Sequence, residues 1–253
     1  MGARKSHILR LYEDNHLLVV VKPPDIPVQK DRTRDMDLLT LLKEDIRERF
    51  QKPGNVYLGM VHRLDRPVGG VMVFARTSKA AARLSEQIRS RTVEKEYLAV
   101  ISGCMDPSEG RLEGWIYKDE RTNTSRMASP ETPGARQVCL DYRMEAAVSR
   151  KEGAFGLVRI GLETGRSHQI RVQFSSAGHP LWGDVRYKTA MPLSGPADRS
   201  VSGIRPALWA VRLKFRHPVT GKELVFEAGP PMKLPWSWFD RNAVLACKQP
   251  PVL

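Results

Sequence analysis

Cysteines are scarce in this sequence, and long apolar runs are absent. The 253 residues include three cysteines, Cys104, Cys139 and Cys247, which are odd in number, widely spaced and without a partner at metal-ligand spacing. We therefore expect no disulfide framework, no metal site and a reducing, cytoplasmic environment. No apolar run exceeds the length of Leu17–Val21, far below the roughly 18 to 20 residues of a membrane span, and the N-terminus lacks the apolar segment of a signal peptide. These absences predict a soluble protein.

Acidic residues are fewer than basic residues in this sequence. Lysine and arginine number 41 against 28 aspartates and glutamates, which gives a net charge of +13. Such an excess attracts polyanions, of which nucleic acid is the commonest and an anionic membrane surface the second, and charge alone does not choose between them. With 41% hydrophobic and 27% charged residues, the composition is that of a globular protein and excludes disordered and fibrous classes.

Strand patterns dominate the chain. Two extended runs separated by Asp14 and Asn15 predict an N-terminal hairpin, and a second hairpin near the C-terminus has a basic face of Arg212, Lys214 and Arg216. Because strands outnumber helices and come as neighbouring pairs, the sequence favours an α+β protein with a mixed, largely antiparallel sheet and packed helices. The predicted strands are Ile8–Tyr12, Leu17–Lys22, Val71–Ala75, Val93–Ile101, Val138–Met144, Val158–Leu162, Trp209–Phe215 and Lys222–Ala228.

Three helices are predicted where apolar residues recur at helical spacing after a capping residue. The first begins at Asp35 or Asp37 and ends near Lys52–Gly54, and the second runs from Thr77-Ser78 to about Arg89. The third is capped by Ser167, stops at Gly178, and has Ile170, Phe174 and Ala177 on its apolar side. The stretch Pro192–Pro206 is predicted as a long loop, and no internal repeat is present.

Three polar segments are candidates for chemistry. In the first, His62–Asp65 lies between apolar runs and is followed by a turn at Pro67 and Gly69-Gly70, although an ion pair on a loop is the ordinary interpretation of such a segment. The second, Thr164–Arg171, is a turn that leads into a helix. The start of this helix either binds an anion through its free N–H groups or is the capped end of an ordinary surface helix. The third is Tyr97, which its alternating strand pattern, taken alone, predicts to be a core or sheet-surface residue.

Together and in this order, the segments resemble the RluA-type pseudouridine synthases. The resemblance covers about residues 8–230 and implies the pseudouridine synthase fold, with a single catalytic domain over residues 1–253. About seven residues precede the first strand, so we expect no N-terminal RNA-binding module of the kind that many relatives carry. The matching motifs are Lys22-Pro23; His62-Arg63-Leu64-Asp65 with Gly70; Lys95, Tyr97, Ala99 and Gly103; Gly165–Val172; and Gly178–Asp184 followed by Tyr187.

The resemblance also implies residue roles. Asp65 is the catalytic carboxylate, which attacks either the sugar carbon or the base, and Arg171 is the cation that keeps it ionised. Tyr97 lies against the uracil and removes the proton from C5. Arg63 enters the RNA stack that the flipped uridine vacates. Further RNA contacts are expected from Arg166 and His168 at the third helix and from the basic hairpin face, and no metal or cofactor is required.

Three departures from the family pattern leave alternatives open. Val68-Gly69 stands where the family usually has Thr-Ser, whose hydroxyls hold the turn, and Gln173 and Val21 replace the usual His and Asn. A non-catalytic RNA-binding protein that retains the fold is one alternative. A nucleosidase is another, although it needs a second acid beside Asp65. Our interpretation is a monomeric synthase that acts on structured ribosomal or transfer RNA without a protein partner; the sequence does not identify the uridine.

Overall fold

The computed structural model describes residues 8–31, 33, 35–187 and 205–245. Most of the predicted loop at Pro192–Pro206 lies outside these residues. The described chain contains eleven strands, four α-helices and a short 3-10 helix at Trp236–Trp238. The strands are β1 (Leu9–Glu13), β2 (Leu17–Lys22), β3 (Gly59–Met60), β4 (Gly69–Ala75), β5 (Glu94–Ser102), β6 (Glu109–Asp119), β7 (Thr124–Ala128), β8 (Arg136–Arg150), β9 (Gly153–Leu162), β10 (Leu208–Arg216) and β11 (Glu223–Glu227). The helices are α1 (Leu38–Arg49), α2 (Ser78–Arg89), α3 (Gln169–Ser176) and α4 (Arg241–Leu245).

The chain divides into two compact units. Among the described residues, the first unit comprises residues 8–93 and 212–228, and the second comprises residues 94–187, 205–211 and 229–245. The boundary falls inside β10, between Val211 and Arg212. Antiparallel strands with packed helices form both units, which confirms the predicted α+β class and the largely antiparallel pairing. The single catalytic domain stays a prediction.

The first unit is built on the N-terminal hairpin. The side chain of Asp14 accepts hydrogen bonds from the backbone N–H groups of His16 and Leu17, both at 2.7 Å, and so closes the predicted turn between β1 and β2. β2 pairs antiparallel with β4, and α2 covers one face of these strands. Because side chains alternate across a strand, every second residue enters that core. Its buried members are Leu17, Val19, Val71, Val73, Ala75, Ala80, Leu84, Val93, Leu213 and Phe215.

Helix starts in the first unit follow the capping rule. Asp37, not Asp35, caps α1, since its carboxylate accepts the Thr40 N–H at 3.0 Å. Thr77 caps α2 in the same way through the Ala80 N–H at 3.1 Å. Both side chains satisfy donors that a helix start leaves without an intrahelical partner. The predicted end of α2 at Arg89 is confirmed.

In the second unit, strands are ordered β5-β9-β8-β6-β7 with antiparallel neighbours. β6 and β7 are absent from the sequence prediction because much of their surface is polar and exposed, and glycines interrupt β6. α3 packs on this part of the sheet, with Val172 against Ile116 and Val138. The sheet therefore supports the helix that carries Arg171.

Candidate active site

Asp65 lies on a tight turn between β3 and β4 in the first unit. The backbone carbonyl of Asp65 accepts the Val68 N–H at 3.0 Å, so the turn closes through the backbone, without the hydroxyls that Val68-Gly69 lacks. The ring of His62 is fixed as well, because its Nε2 accepts the N–H of Val73 on β4 at 3.0 Å. Gly70, with φ of 128°, adopts a conformation that other residues avoid as the chain enters β4. The turn thus holds the carboxylate on a rigid base.

A buried lysine stabilises this turn through hydrogen bonds to its backbone. Lys22, which has no exposed surface, donates from Nζ to the carbonyls of Pro23 at 2.9 Å, Arg66 at 3.0 Å and Val68 at 2.8 Å. Two of these carbonyls belong to residues that follow Asp65 in the turn, so a positive charge lies inside the turn that carries the predicted catalytic carboxylate. The Lys22-Pro23 motif, which the sequence analysis matched without assigning a role, therefore positions Asp65.

Replacing Lys22 by methionine is expected to lower the free energy of unfolding by about 2 to 5 kcal/mol, because three buried carbonyls lose their donor while the aliphatic stem is kept. Urea unfolding measures this loss. The control is Lys52→Met, which removes an exposed ammonium from the same unit and is expected to leave the urea midpoint near that of the wild type. A Lys22→Met midpoint equal to that of the control contradicts the positioning role.

Arg66 stabilises the exposed side of the same turn. Its guanidinium contacts Asp35 at 2.5 Å and Asp31 at 3.6 Å, and its Nε donates to the Asp25 carbonyl at 3.2 Å. This arginine lowers the pKa of the Asp35 carboxyl through its hydrogen bond and its charge. Arg63, by contrast, is exposed beside the turn, as the predicted insertion into an RNA stack requires.

Tyr97 is a buried residue of β5 in the second unit, opposite Ile160 on β9. Lys95 lies two residues earlier on the same face of the strand, and its Nζ is next to Gly165, where an added Cβ would be 3.8 Å away. Burial lowers the pKa of Lys95. The strand therefore brings its lysine to the turn that precedes α3.

The start of α3 differs from the prediction. Ser167 does not cap the helix; His168 occupies that position in a left-handed conformation with φ of 55°, and its side chain makes no capping hydrogen bond. The turn is closed instead by Gln169, whose Oε1 accepts the Arg166 N–H at 3.1 Å and the Thr164 hydroxyl at 2.8 Å. Ala177 is exposed after the helix end, while Ile170 and Phe174 are buried as predicted. Arg166 is exposed.

Arg171 is held by a buried ion pair. Its Nε and Nη2 donate to the two carboxylate oxygens of Asp184 at 2.7 and 2.9 Å, and both side chains are almost fully buried. Its guanidinium also lies 4.9 Å from the ring centre of Tyr187. A bidentate pair of this kind fixes the plane of the guanidinium as well as its position.

Tyr187 connects this arginine to the helix start. Its hydroxyl oxygen accepts the Ser125 N–H at 2.9 Å and lies 2.5 Å from His168 Nδ1. Burial raises the pKa of Tyr187, so the hydroxyl stays protonated at neutral pH and is available as a donor to His168. Asp184 and Tyr187 belong to a motif that the sequence analysis quoted without giving either residue a role, and Ser125 lies on a strand that it missed.

The predicted basic face of the hairpin is less basic in the structure than in the sequence, and its role in RNA binding stays a prediction. Arg212 forms an ion pair with Glu227 at 3.1 Å, and Lys214 forms one with Glu223 at 3.3 Å, both across the β10–β11 ladder. The sequence from Arg199 to Lys222 contains no aspartate or glutamate, and Glu223 follows it directly. Acidic partners therefore balance two of the three cations of this face, while Arg216 is exposed at the end of β10.

Three further observations concern the described residues. No helix among them is long and apolar enough to cross a membrane. No three His, Cys, Asp or Glu side chains in the described ranges are grouped as they would be to hold a metal ion. Cys104 and Cys139 are free thiols, and burial raises the pKa of Cys139 to about 12.

Comparison with solved structures identifies the class of fold. The structure titled Human RNA Pseudouridylate Synthase Domain Containing 1 superposes with a TM-score of 0.70 at 24% sequence identity, covering 93% of this chain and 88% of that chain. Human RNA Pseudouridylate Synthase Domain Containing 4 superposes with a TM-score of 0.69 at 23% identity, covering 88% of each chain. The chain therefore has the pseudouridine synthase fold.

Sequence comparison then identifies the family. The family model described as RNA pseudouridylate synthase matches residues 16–176. An uncharacterized RNA pseudouridine synthase, YhcT of Bacillus subtilis, is 32% identical over 219 residues, covering 86% of this chain and 67% of the relative. Ribosomal large subunit pseudouridine synthase D of Vibrio parahaemolyticus is 34% identical over 227 residues, covering 87% of this chain and 66% of the relative. The chain belongs to the RNA pseudouridylate synthase family, a family of isomerases, and spans about two thirds of the length of these relatives.

Proposed function

We propose that this chain converts specific uridines of structured RNA to pseudouridine, with Asp65 as the catalytic carboxylate. The observation that carries the proposal is the turn that presents Asp65: its backbone is fixed by the buried ammonium of Lys22 and by the Val68 N–H. Ribosomal RNA is the favoured substrate, since a relative that is 34% identical is named for the large ribosomal subunit, and transfer RNA is the second. The enzyme acts as a cytoplasmic monomer.

The reaction breaks the N1–C1′ bond, turns the base, joins C5 to C1′, releases the C5 proton and adds a proton to N1. Asp65 stabilises or attacks the electron-poor centre that forms when the first bond breaks. Substrate and product contain the same atoms at the same oxidation level, so the isomerisation needs no redox cofactor. The buried position of Tyr97 on β5 supports its role as the group that contacts the uracil and removes the C5 proton.

Arg171 is the proposed cation for Asp65, and the contacts within its own unit support this role. A guanidinium already fixed by Asp184 and Tyr187 pairs with a further anion without losing additional conformational freedom. The target uridine lies within structured RNA, so the enzyme must flip it out, and the exposed guanidinium of Arg63 fills the vacated stack.

Release of tritium from RNA labelled at C5 of uridine tests the proposal. The purified protein is expected to release tritium from unmodified ribosomal RNA transcripts and to leave no free uracil among the products. Free uracil would instead support a nucleosidase, and RNA binding without tritium release would support a non-catalytic protein. Mapping of modified uridines in RNA from cells with and without the gene then identifies the target.

A further inference from the structure

The exposed side of α2 carries a group of cations that the proposed active site does not use. Lys79 and Arg83 lie four residues apart on one side of the helix, and Arg91 follows its C-terminal end. All three are exposed, and no described carboxylate forms an ion pair with them within 4.0 Å. Arg89 also lies here, but it is paired with Glu86.

Hydrogen bonds attach a fourth cation to this group. The side chain of Gln87, four residues after Arg83, accepts the backbone N–H of Arg216 at 2.9 Å and donates to the carbonyl of Arg216 at 2.8 Å. Arg83 donates to the Pro218 carbonyl at 2.6 Å. These contacts, all within the first unit, fix the end of β10 against α2. We define the α2 patch as Lys79, Arg83, Arg91 and Arg216. Hydrogen bonds within the first unit hold the elements that carry these residues in fixed positions.

Charge is concentrated at this end of the hairpin. Arg212 and Lys214 are balanced by Glu227 and Glu223, whereas Arg216 is exposed and has no ion-pair partner among the described residues. Glu223 lies opposite Arg216 in the ladder, but its carboxylate contacts Lys214. Glu86 and Glu223 are thus paired with cations outside the patch, and the four positive charges of the patch are available to a polyanion.

We propose that the α2 patch binds phosphates of the RNA substrate, an inference that rests on the proposed function. The 12 residues of α2 extend over roughly 18 Å, a length that spans several consecutive phosphates of one RNA strand. No aromatic side chain belongs to the patch, so contacts to the backbone are favoured over base stacking. The apolar residues Ala80 and Leu84 face the core, so the helix does not present an apolar face to a lipid surface.

The salt dependence of RNA binding tests this surface. The parent protein carries Asp65→Asn, so that turnover does not enter the measurement, and the probe is an RNA hairpin of about 20 base pairs, titrated between about 50 and 200 mM salt. Lys79→Gln, Arg83→Gln and Arg216→Gln together are expected to weaken binding and to make the slope of log K against log salt shallower by about two to three.

A charge-matched control separates contact from net charge. Lys43→Gln, Arg47→Gln and Lys52→Gln together also remove three positive charges from the first unit, but they lie on and just after α1, and they are expected to leave the slope close to that of the parent. A patch variant with an unchanged slope overturns the proposal, as does a control that changes the slope equally. Binding of the parent to anionic vesicles, lost in the patch variant while the RNA slope stays the same, also overturns it.

Two further measurements keep the test decisive. If the triple variant does not fold, Lys79→Gln with Arg91→Gln removes two exposed cations that make no described side-chain hydrogen bond, and a slope shallower by about one and a half to two is expected. Tritium release by the wild-type protein tests the proposed function separately. A protein that binds RNA through the patch and releases no tritium supports the surface and overturns the synthase activity.

Discussion

Replacing Asp65 by asparagine is expected to lower the rate of tritium release from C5-labelled uridine by at least about three orders of magnitude, as the loss of a nucleophile does in other enzymes. Asparagine keeps the size of the side chain but has no negative charge with which to stabilise or attack the reacting centre. The hydrogen bond that closes the turn joins the Asp65 carbonyl to the Val68 N–H, and asparagine retains it.

The structure offers a matched control for this substitution. Asp31 is another carboxylate of the first unit that lies near this turn, where it contacts Arg66 at 3.6 Å and is exposed. Asp31→Asn is expected to retain most of the activity, because surface ion pairs contribute little. RNA affinity and the melting temperature of the Asp65→Asn variant are expected to match those of the wild type. Full tritium release by Asp65→Asn would overturn the assignment of Asp65 and with it the proposed mechanism.

The sequence predicts those elements whose signals are local. Asp14 closes a hairpin and Thr77 caps a helix through groups two to three residues away, and both features are confirmed. The predicted cap at Ser167 is wrong because Gln169, a residue inside the helix, bonds back to Arg166 and Thr164, an arrangement that helix-start preferences do not indicate. β6 is missed for a different reason, since the alternation that reveals a strand is weak where both faces are partly exposed.

Site contacts were harder to predict because their partners are distant in sequence. The motifs identified Lys22 and Arg171, but the functions of these cations depend on Val68 and Asp184, which are 46 and 13 residues away. The charge count along the chain did not show the ion pairs of the hairpin for the same reason, because Arg212 meets Glu227 only after the strands pair. Composition indicates how much charge a protein has, whereas pairing across strands determines how much of it is available to bind RNA.

The buried ion pair between Arg171 and Asp184 leads us to expect large losses of stability and activity when Asp184 is replaced. Asp184→Asn is expected to lower the free energy of unfolding by about 3 to 5 kcal/mol, because it removes the bidentate, buried carboxylate that pairs with the guanidinium of Arg171. Tritium release is expected to fall beyond what the loss of folded protein explains, since the plane of Arg171 is no longer fixed by two parallel hydrogen bonds. Urea unfolding and rates measured well below the unfolding transition separate the two effects.

An exposed bidentate pair is the control for Asp184→Asn. Arg111 also contacts both carboxylate oxygens of one residue, Glu163, at 3.0 and 2.8 Å, but this pair lies on the surface of the second unit. Glu163→Gln is expected to leave the urea midpoint close to that of the wild type, because water and salt screen exposed charges. If Asp184→Asn is no more destabilising than Glu163→Gln, burial does not give the Arg171 pair its strength, and the argument that Asp184 positions this arginine fails.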